Sequence, residues 1–265
     1  MSETGIQSGK IAAVFDIDGT LLPAPSLEWR LLAHMALNGE MHLGAVGRWV
    51  RTLISQLLPI SRDERKTPVR SLAVDENKSY WAGARIGAVD AWIARRFADL
   101  EFFSEALAMV EWHHRRGHTI VLISGTLAPL ARAVGSLLAR DGEKIHLCAT
   151  ELECDSGQWT GRVAGEVICG PAKERALVRL AAEHHFDLGR SYAYADSLKD
   201  RWLLGAVGRA IVVNPAPRLA QLARRSGWRL VNWNDRACVS VDGGRAPFSG
   251  AEKDAQVFAE KFSWQ

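Results

Sequence analysis

The apolar positions of the chain alternate between two periods, and this alternation predicts an α/β fold. Short apolar runs bounded by turn residues are typical of buried strands, and they occur at residues 11–15, 118–123, 145–149, 192–195 and 210–213. Stretches with helical period separate the later runs, at residues 104–116, 127–138, 172–185 and 217–225, with one more helix start at Ser197. Residues 152–163 carry a central Asp-Ser-Gly and predict a hairpin. Strands that alternate with helices predict a parallel sheet.

The segment after the first strand has a different pattern. No strand pattern occurs between about residues 22 and 100, where apolar periodicity predicts three helices at residues 27–37, 43–58 and 75–97. Ser26 is a suitable N-cap for the first of them, and Pro59 ends the second. The sequence therefore predicts an all-helical unit between the first strand and the rest of the sheet.

Composition and charge exclude several classes of partner. The 33 basic and 30 acidic residues give a net charge of +3, too balanced for a nucleic-acid footprint. The longest stretch without Asp, Glu, Lys or Arg, Gly117–Ala131, is too short for a transmembrane segment, and the N-terminus has no apolar signal region. Four cysteines without C-x-x-C spacing agree with a reducing compartment, so we expect a cytoplasmic protein. The amphipathic 43–58 stretch leaves membrane-surface contact open.

Two aspartates, Asp16 and Asp18, stand where the first buried strand opens into the turn Gly19-Thr20. An unpaired buried carboxylate must find a cation or take up a proton, so we expect positive charge nearby. Mg²⁺ suits such a site, because it prefers hard oxygen ligands and commonly binds one or two carboxylates together with a substrate phosphate. Taken alone, the pair also fits a turn with an N-capping carboxylate.

Two further places offer groups that bind phosphate. Ser124-Gly125-Thr126 is predicted to join a strand end to a helix N-terminus, where unpaired backbone N–H groups attract anions. Lys173 lies in the first turn of a predicted helix, an unfavourable place for a cation unless an anion is bound there. The alternatives are an ordinary helix cap and a solvated lysine.

A second acidic pair, Asp196 and Asp200, follows the predicted strand at residues 192–195. If a helix begins at Ser197, the two carboxylates lie about one turn apart, and their repulsion is removed by a bound metal ion. The alternative is an N-cap with an acidic first turn.

Together, and in this order, these four places resemble the four motifs of the haloacid dehalogenase-like hydrolase superfamily. The helical insertion after the first motif resembles the cap of its phosphoserine-phosphatase-like branch. The resemblance covers about residues 11–233 and implies a Rossmann-like parallel sheet with helices on both faces. We therefore expect a discontinuous catalytic core (residues 1–21 and 101–235), a helical cap (residues 22–100) and a C-terminal extension of unknown role (residues 236–265).

The resemblance also implies roles for the motif residues. Asp16 would be a nucleophile that forms an aspartyl-phosphate, and Asp18 would protonate the leaving group and then activate water. Mg²⁺ would be bound by Asp16, the backbone carbonyl of Asp18, and Asp196, with Asp200 in support. The phosphoryl oxygens of a small phosphorylated metabolite would be held by Ser124, Gly125 and Lys173. Because dehalogenases lack the acid at position 18, phosphoryl chemistry is favoured over carbon–halogen cleavage.

The sequence departs from the family pattern at two positions, and two rival functions fit the same residues. Ala195 replaces the usual glycine before Asp196, and Lys199 is a bulky neighbour of Asp200. A phosphotransferase that uses an alcohol acceptor has the same residues, and a phospho-acceptor module without turnover is the rival from another class.

Residues of the cap that could read the substrate are less well marked. Glu28, Arg62 and Arg85 are candidates, and an ordinary surface charge is the alternative for each. The pairs His113-His114 and His184-His185 lie at predicted helix ends, where a charged imidazole favours the dipole, and they lack partners with zinc-ligand spacing.

Overall fold

A six-stranded parallel sheet forms the centre of the computed structural model, which describes residues 9–41, 44, 47, 78–140, 142–233 and 238–240. Its strand order is β4-β3-β1-β7-β8-β9, with β1 between β3 and β7. Antiparallel pairs are formed by β5 with β6 and by β2 with β10. The strands are β1 (Ala12–Phe15), β2 (Glu101–Phe103), β3 (Thr119–Leu127), β4 (His146–Thr150), β5 (Leu152–Asp155), β6 (Gln158–Val163), β7 (Tyr192–Ala195), β8 (Arg209–Val213), β9 (Arg229–Val231) and β10 (Cys238–Ser240).

Helices cover both faces of this sheet. The α-helices are α1 (Leu27–Leu37), α2 (Ile86–Arg96), α3 (Ser104–Arg115), α4 (Ala128–Leu138), α5 (Pro171–His184), α6 (Arg201–Gly205) and α7 (Pro217–Ser226). Short 3₁₀ turns occupy Ser79–Trp81, Phe97–Asp99 and Leu198–Asp200. The predicted α/β alternation is therefore confirmed, and the first helix begins and ends as predicted, with the Ser26 hydroxyl accepting from the Trp29 N–H.

The central strand β1 is buried on both sides, as a parallel sheet requires. Phe15 faces a core that includes Leu107 of α3 and Leu130 of α4. Val14 faces the opposite core, formed with α5, α6 and α7. The Phe15 ring stacks on Tyr194 of the neighbouring strand, with ring centroids 4.4 Å apart. These contacts fix β1 in the sheet and thereby place the residue that follows it, Asp16.

The predicted helix over residues 75–97 is wrong in its described first part. A 3₁₀ turn occupies Ser79–Trp81, and α2 begins only at Ile86. The backbone between them bonds to the β5–β6 hairpin: the Gly83 N–H donates to the Trp159 carbonyl (2.8 Å), and the Trp159 N–H donates to the Ala84 carbonyl (2.9 Å). These hydrogen bonds replace the helical ones, so tertiary pairing overrides the helical pattern of the sequence.

The end of β3 also differs from the prediction. The strand continues through Ser124 and Gly125 to Leu127, with a register shift against β4, and α4 begins at Ala128. Ser124 therefore lies on a strand and not at a helix N-terminus. The three-residue strands β2, β9 and β10 were not predicted, because so few residues show no alternation.

The helical segment leaves and rejoins the core at one point, since the Phe103 N–H donates to the Leu21 carbonyl (3.1 Å). This bond supports the expected insertion, although the division into core, cap and extension stays a prediction. Of the predicted helix at residues 43–58, only residues 44 and 47 are described, and both are helical. Most of the extension at residues 236–265 lies outside the described residues; β10, from that extension, pairs with β2. In the part of the chain that the structure describes, no helix is both long and apolar enough to cross a membrane.

Candidate active site

The loop after β1 lies very close to the loop after β7. Asp16 follows β1 directly, and its N–H continues the pairing with β7 by donating to the Tyr194 carbonyl (3.0 Å). Gly19 has φ +82°, and a Cβ placed on it would lie 2.2 Å from Oδ2 of Asp196. Only glycine combines this backbone conformation with so short a distance to the neighbouring loop. The Gly-Thr turn predicted from the sequence therefore has a specific steric role.

Three carboxylates meet at the carboxyl edge of β1 and β7. One oxygen from each of Asp16, Asp196 and Asp200 lies within 4.8 Å of the other two. Lys173, in the first turn of α5, reaches the same place: its Nζ lies 2.8 Å from Asp16 Oδ1 and 2.6 Å from Asp200 Oδ1. These four side chains, which come from three of the four predicted motifs, form one cluster, called the acidic cluster below.

Burial makes the charge balance of the acidic cluster unfavourable. Burial, together with the neighbouring Asp16 and Asp200, raises the pKa of Asp196 to about 7. Burial also raises the pKa of Asp200 to about 6, although the ammonium of Lys173 opposes the shift. For Lys173 itself, burial favours the neutral amine, but the two carboxylates outweigh it and raise the pKa above its ordinary value. One cation therefore faces three carboxylates, and the site favours a second cation or a proton.

The donor set of the acidic cluster fits a magnesium ion. Oδ1 of Asp16 and both carboxylate oxygens of Asp200 are fully buried, and Nζ of Lys173 lies within hydrogen-bond distance of Oδ1 of each residue. The only cation beside them in the described residues is Lys173, which neutralises one of the three charges. Several carboxylate oxygens converging at one point are what a hard divalent cation requires.

Asp18 lies outside the acidic cluster, although it is only two residues from Asp16. Its Oδ1 accepts a hydrogen bond of 2.7 Å from the N–H of Leu27, the first residue of α1. Burial raises the pKa of Asp18 to about 7, and the charges of Asp16 and Glu28 act in the same direction. Asp18 is therefore a carboxyl group that retains its proton close to neutral pH.

The end of β3 supplies the predicted phosphate-binding residues. Ser124 and Gly125 lie at the same edge of the sheet as Asp16, because β3 pairs with β1, and their hydrogen bonds in the described residues go to other partners. The Ser124 hydroxyl accepts from the Thr126 N–H (3.3 Å), and the Gly125 carbonyl accepts from Thr150 Oγ1 (3.0 Å). The hydroxyl of Thr126 is buried without a hydrogen-bond partner, a feature that the sequence did not single out.

Two of the three cap residues that were candidates for reading the substrate are described, and they differ in burial. Glu28 is not the surface charge considered as its alternative: its carboxylate is mostly buried and accepts hydrogen bonds from Lys78, Tyr80 and Trp81. Arg85 is exposed. Arg62 lies outside the described residues. No sequence signal near Glu28 indicates this network, because its partners are 50 to 53 positions away.

His113 lies in the last turn of α3, as predicted, but the favourable interaction of its imidazole with the helix dipole is not realised. His113 is fully buried and hydrogen-bonded to the Tyr194 hydroxyl (2.9 Å) and to His118 (2.8 Å). Burial and the neighbouring His118 lower its pKa well below the ordinary value, so it is a neutral core residue.

Comparison with known proteins agrees with this geometry. The family profile described as haloacid dehalogenase-like hydrolase matches residues 13–204, the stretch that holds the acidic cluster, Asp18 and the end of β3. The chain belongs to this family. The resemblance inferred from the four motifs is thereby confirmed, as are the enzyme class and the Rossmann-like fold.

Individual relatives in the haloacid dehalogenase-like family span different shares of the chain. A protein named "Probable phosphatase" from Mycobacterium tuberculosis (strain ATCC 25618 / H37Rv) is 34% identical over 233 residues, which cover 85% of this chain and 76% of that protein. The "Inhibition of morphological differentiation protein" of Streptomyces azureus is 32% identical over 155 residues, 58% of this chain. The chain matches only 54% of the length of the Streptomyces protein.

Solved structures share the fold. A protein of unknown function from Bordetella pertussis Tohama I has a TM-score of 0.67 at 26% identity, covering 84% of this chain and 99% of that one. A substrate-bound phosphoserine phosphatase has a TM-score of 0.58 at 20% identity, covering 81% of this chain and 91% of that one. At that identity the second comparison shows the fold alone.

Proposed function

We propose that the chain is a Mg²⁺-dependent phosphomonoesterase that hydrolyses a small phosphorylated metabolite through an aspartyl-phosphate on Asp16. The observation that carries the proposal is the separation of two kinds of carboxyl group at one sheet edge. A negatively charged cluster around Lys173 is formed by Asp16, Asp196 and Asp200. Asp18 lies outside this cluster and accepts a hydrogen bond from the Leu27 N–H. The phosphatase name of the mycobacterial relative supports the reaction class.

In the first half of the reaction, a carboxylate oxygen of Asp16 attacks the phosphorus atom and the bond from phosphorus to the ester oxygen breaks. Asp18 gives its proton to that oxygen, so the leaving group departs as a neutral alcohol. Its raised pKa, about 7, keeps this proton available near neutral pH. Lys173, already bound to Asp16, attracts the phosphoryl oxygens, and the end of β3 contributes Ser124 and Gly125.

In the second half, Asp18 is ionised and takes a proton from a water molecule. The water oxygen attacks phosphorus, the bond from Asp16 to phosphorus breaks, and inorganic phosphate leaves. Asp16 returns as a carboxylate, and Asp18 is protonated again, so that atoms and charges balance over the cycle. One residue thus serves as acid and then as base, which requires a pKa close to the working pH.

Mg²⁺ would be held by the carboxylates of Asp16, Asp196 and Asp200, with the backbone carbonyl of Asp18 completing the protein ligands. When bound, it supplies positive charge that stabilises the phosphoryl oxygens in the transition state. Thr20 positions Asp196 by donating its hydroxyl hydrogen bond to Oδ1 (3.3 Å).

The direct test is phosphate release from a panel of phosphorylated metabolites, with Mg²⁺ and with EDTA. We expect Mg²⁺-dependent release by the unaltered chain and none by Asp16→Asn, whereas Asp155→Asn, a change at an exposed hairpin carboxylate, serves as the matched control and keeps the activity. Release that is equal in EDTA, or that survives in Asp16→Asn, would contradict the proposal. If phosphate passes instead to an added alcohol, the enzyme is a phosphotransferase.

A further inference from the structure

We propose that Glu28 is a positioning residue: by fastening the first turn of α1 to the Ser79–Trp81 turn, it holds the Leu27 N–H against Asp18. The inference rests on the proposed function, in which Asp18 is the general acid. It concerns a residue that touches neither the acidic cluster nor the end of β3 in the described contacts.

Most of the hydrogen-bond acceptor places of the Glu28 carboxylate are filled by neighbouring residues. Oε2 of Glu28 lies 2.5 Å from Nζ of Lys78, whose side chain is only 6% exposed. Oε1 accepts two hydrogen bonds, from the Tyr80 hydroxyl (2.6 Å) and the Trp81 indole N–H (2.8 Å). Each carboxylate oxygen accepts about two hydrogen bonds, so three of about four acceptor places are filled by the protein itself. Glu28 is thus built as an internal fastening and not as a free ligand for substrate.

The hydrogen bonds of Glu28 are connected to Asp18 through the first turn of α1. Glu28 is the neighbour of Leu27, and the Leu27 N–H donates to Asp18 Oδ1 (2.7 Å). This N–H is one of those left unpaired at a helix start, so the N-terminus of α1 aims its positive end at the carboxyl group. A shift of that first turn would move the donor away from Asp18, or turn the carboxyl away from the ester oxygen.

The hydrogen-bond partners of Glu28 lie in or next to a turn that is itself held by packing and backbone hydrogen bonds. Trp81 is fully buried and meets the Trp159 ring edge-to-face at 5.5 Å, and the hairpin backbone bonds to Gly83 and Ala84. The Ser79–Trp81 turn is therefore fixed to the β5–β6 hairpin. The position of the catalytic acid depends, through Glu28, on a segment 50 residues further along the chain.

The test uses three substrates that differ in the leaving group. Ethyl phosphate has an alkoxide leaving group that needs a proton, and it offers no other group for the enzyme to bind. O-phosphoserine adds the amino and carboxyl groups. p-Nitrophenyl phosphate releases p-nitrophenolate, which leaves without a proton. The quantity compared is kcat/KM, because it covers phosphoryl transfer to Asp16 and not the later hydrolysis. Asp18→Asn provides the reference pattern.

For Glu28→Gln we expect kcat/KM to fall about tenfold on ethyl phosphate and equally on O-phosphoserine, and less than about twofold on p-nitrophenyl phosphate. The tenfold loss is a part of the rate acceleration that a correctly placed general acid supplies. The matched control is Glu111→Gln, which removes another buried, ion-paired glutamate. Glu111 is paired with Arg115 in α3 and with Arg140, which follows α4. We expect this control to show no dependence on the leaving group.

Four outcomes would overturn the inference. An equal fall on all three substrates indicates a general structural role, and a fall on O-phosphoserine alone indicates that Glu28 grips the substrate. If the loss of kcat/KM depends on the leaving group in Asp18→Asn but not in Glu28→Gln, the positioning role is wrong and the proposed function stands. If the loss in Asp18→Asn is itself independent of the leaving group, the role of Asp18 as general acid is wrong. Tyr80→Phe, which removes one hydrogen bond and no charge, gives the same test should Glu28→Gln fold poorly, with a smaller effect in the same direction.

Discussion

At the scale of single residues, the acidic cluster combines three carboxylates with one lysine in a buried place. Such an arrangement destabilises the metal-free protein, because the ionised form of Asp196 is disfavoured by burial and by two like charges. Function and stability therefore make opposite demands on this residue.

Asp196→Asn is expected to stabilise the metal-free protein at pH 8 and to abolish its response to Mg²⁺. The amide keeps the volume and can still accept the Thr20 hydrogen bond, while the unfavourable charge is removed; we expect a gain of about 1–3 kcal/mol in the free energy of unfolding. Thermal unfolding with EDTA and with Mg²⁺ measures both effects. A less stable variant that still gains stability from Mg²⁺ would contradict the account of the cluster.

The same shifts predict how Mg²⁺ binding depends on pH. The folded protein holds the proton of Asp196 up to about pH 7, whereas the ordinary value of 3.8 applies to the unfolded chain. Between these limits the folded state binds more protons, so metal-free stability falls as the pH rises. Since Mg²⁺ requires the ionised carboxylates, we expect binding about tenfold or more tighter at pH 8 than at pH 5.5. Titration of the unfolding temperature with Mg²⁺ at both pH values tests this, and equal affinities would refute it.

Gly19→Ala tests the close approach of the first loop to Asp196. The new Cβ would lie 2.2 Å from Oδ2, so a loop must move, and we expect activity to fall about 100-fold, a typical cost of misplacing a catalytic group by about 1 Å. Gly227→Ala is the control: its φ of +70° imposes similar strain, but no atom lies within 4 Å of its Cβ. Phosphate release should be retained there, and equal losses in both variants would mean that backbone strain alone matters.

The site residues that the sequence predicts differ in kind from those that it misses. Asp16, Lys173 and Asp200 were singled out because their motifs, taken together and in order, resemble those of the haloacid dehalogenase-like family, although each motif alone has an ordinary alternative. The positioning role of Glu28 was missed because a glutamate in the first turn of a helix is usually solvated. Its burial arises from tertiary contacts with Lys78, Tyr80 and Trp81, which are distant in the sequence. Motifs report local chemistry, whereas positioning networks depend on the tertiary structure.

At the scale of secondary structure, the β5–β6 hairpin takes the place of a helical turn for residues 82–86. Three backbone hydrogen bonds join the two segments, so each supplies the partners that the other lacks. The helix predicted across residues 75–97 was wrong for this reason, whereas helices that pack by one apolar face, such as α1 and α5, were predicted within a residue or two.

Gly161→Ala tests the packing of this hairpin. Its Cβ would lie 2.9 Å from the Cβ of Ala82, at φ +81°, whereas Gly157 has φ +77° and no atom within 4 Å. Both substitutions incur backbone strain, but only the first adds overpacking, and we expect it to destabilise the fold by about 1–2 kcal/mol more than Gly157→Ala. Chemical unfolding of the two variants measures the difference, and equal stabilities would show that the hairpin yields without cost.

At the scale of the whole molecule, the parallel sheet gathers distant parts of the sequence at one edge. The carboxyl ends of β1, β3 and β7 and the start of α5 meet there, which is where open α/β sheets bind ligands. This convergence could be predicted from strand–helix alternation alone. The antiparallel pairing of β2 with β10 could not, because it joins two short strands far apart in the sequence.

The most direct test of the central claim is to look for a phosphoryl group on Asp16. In Asp18→Asn, p-nitrophenyl phosphate should still transfer its phosphoryl group, but no base remains to activate water, so the aspartyl-phosphate should accumulate. Acid quenching and mass spectrometry of the peptide containing Asp16 should then show one added phosphoryl group, absent from the double variant Asp16→Asn/Asp18→Asn. Release of p-nitrophenol with no phosphoryl group on Asp16 would contradict the account.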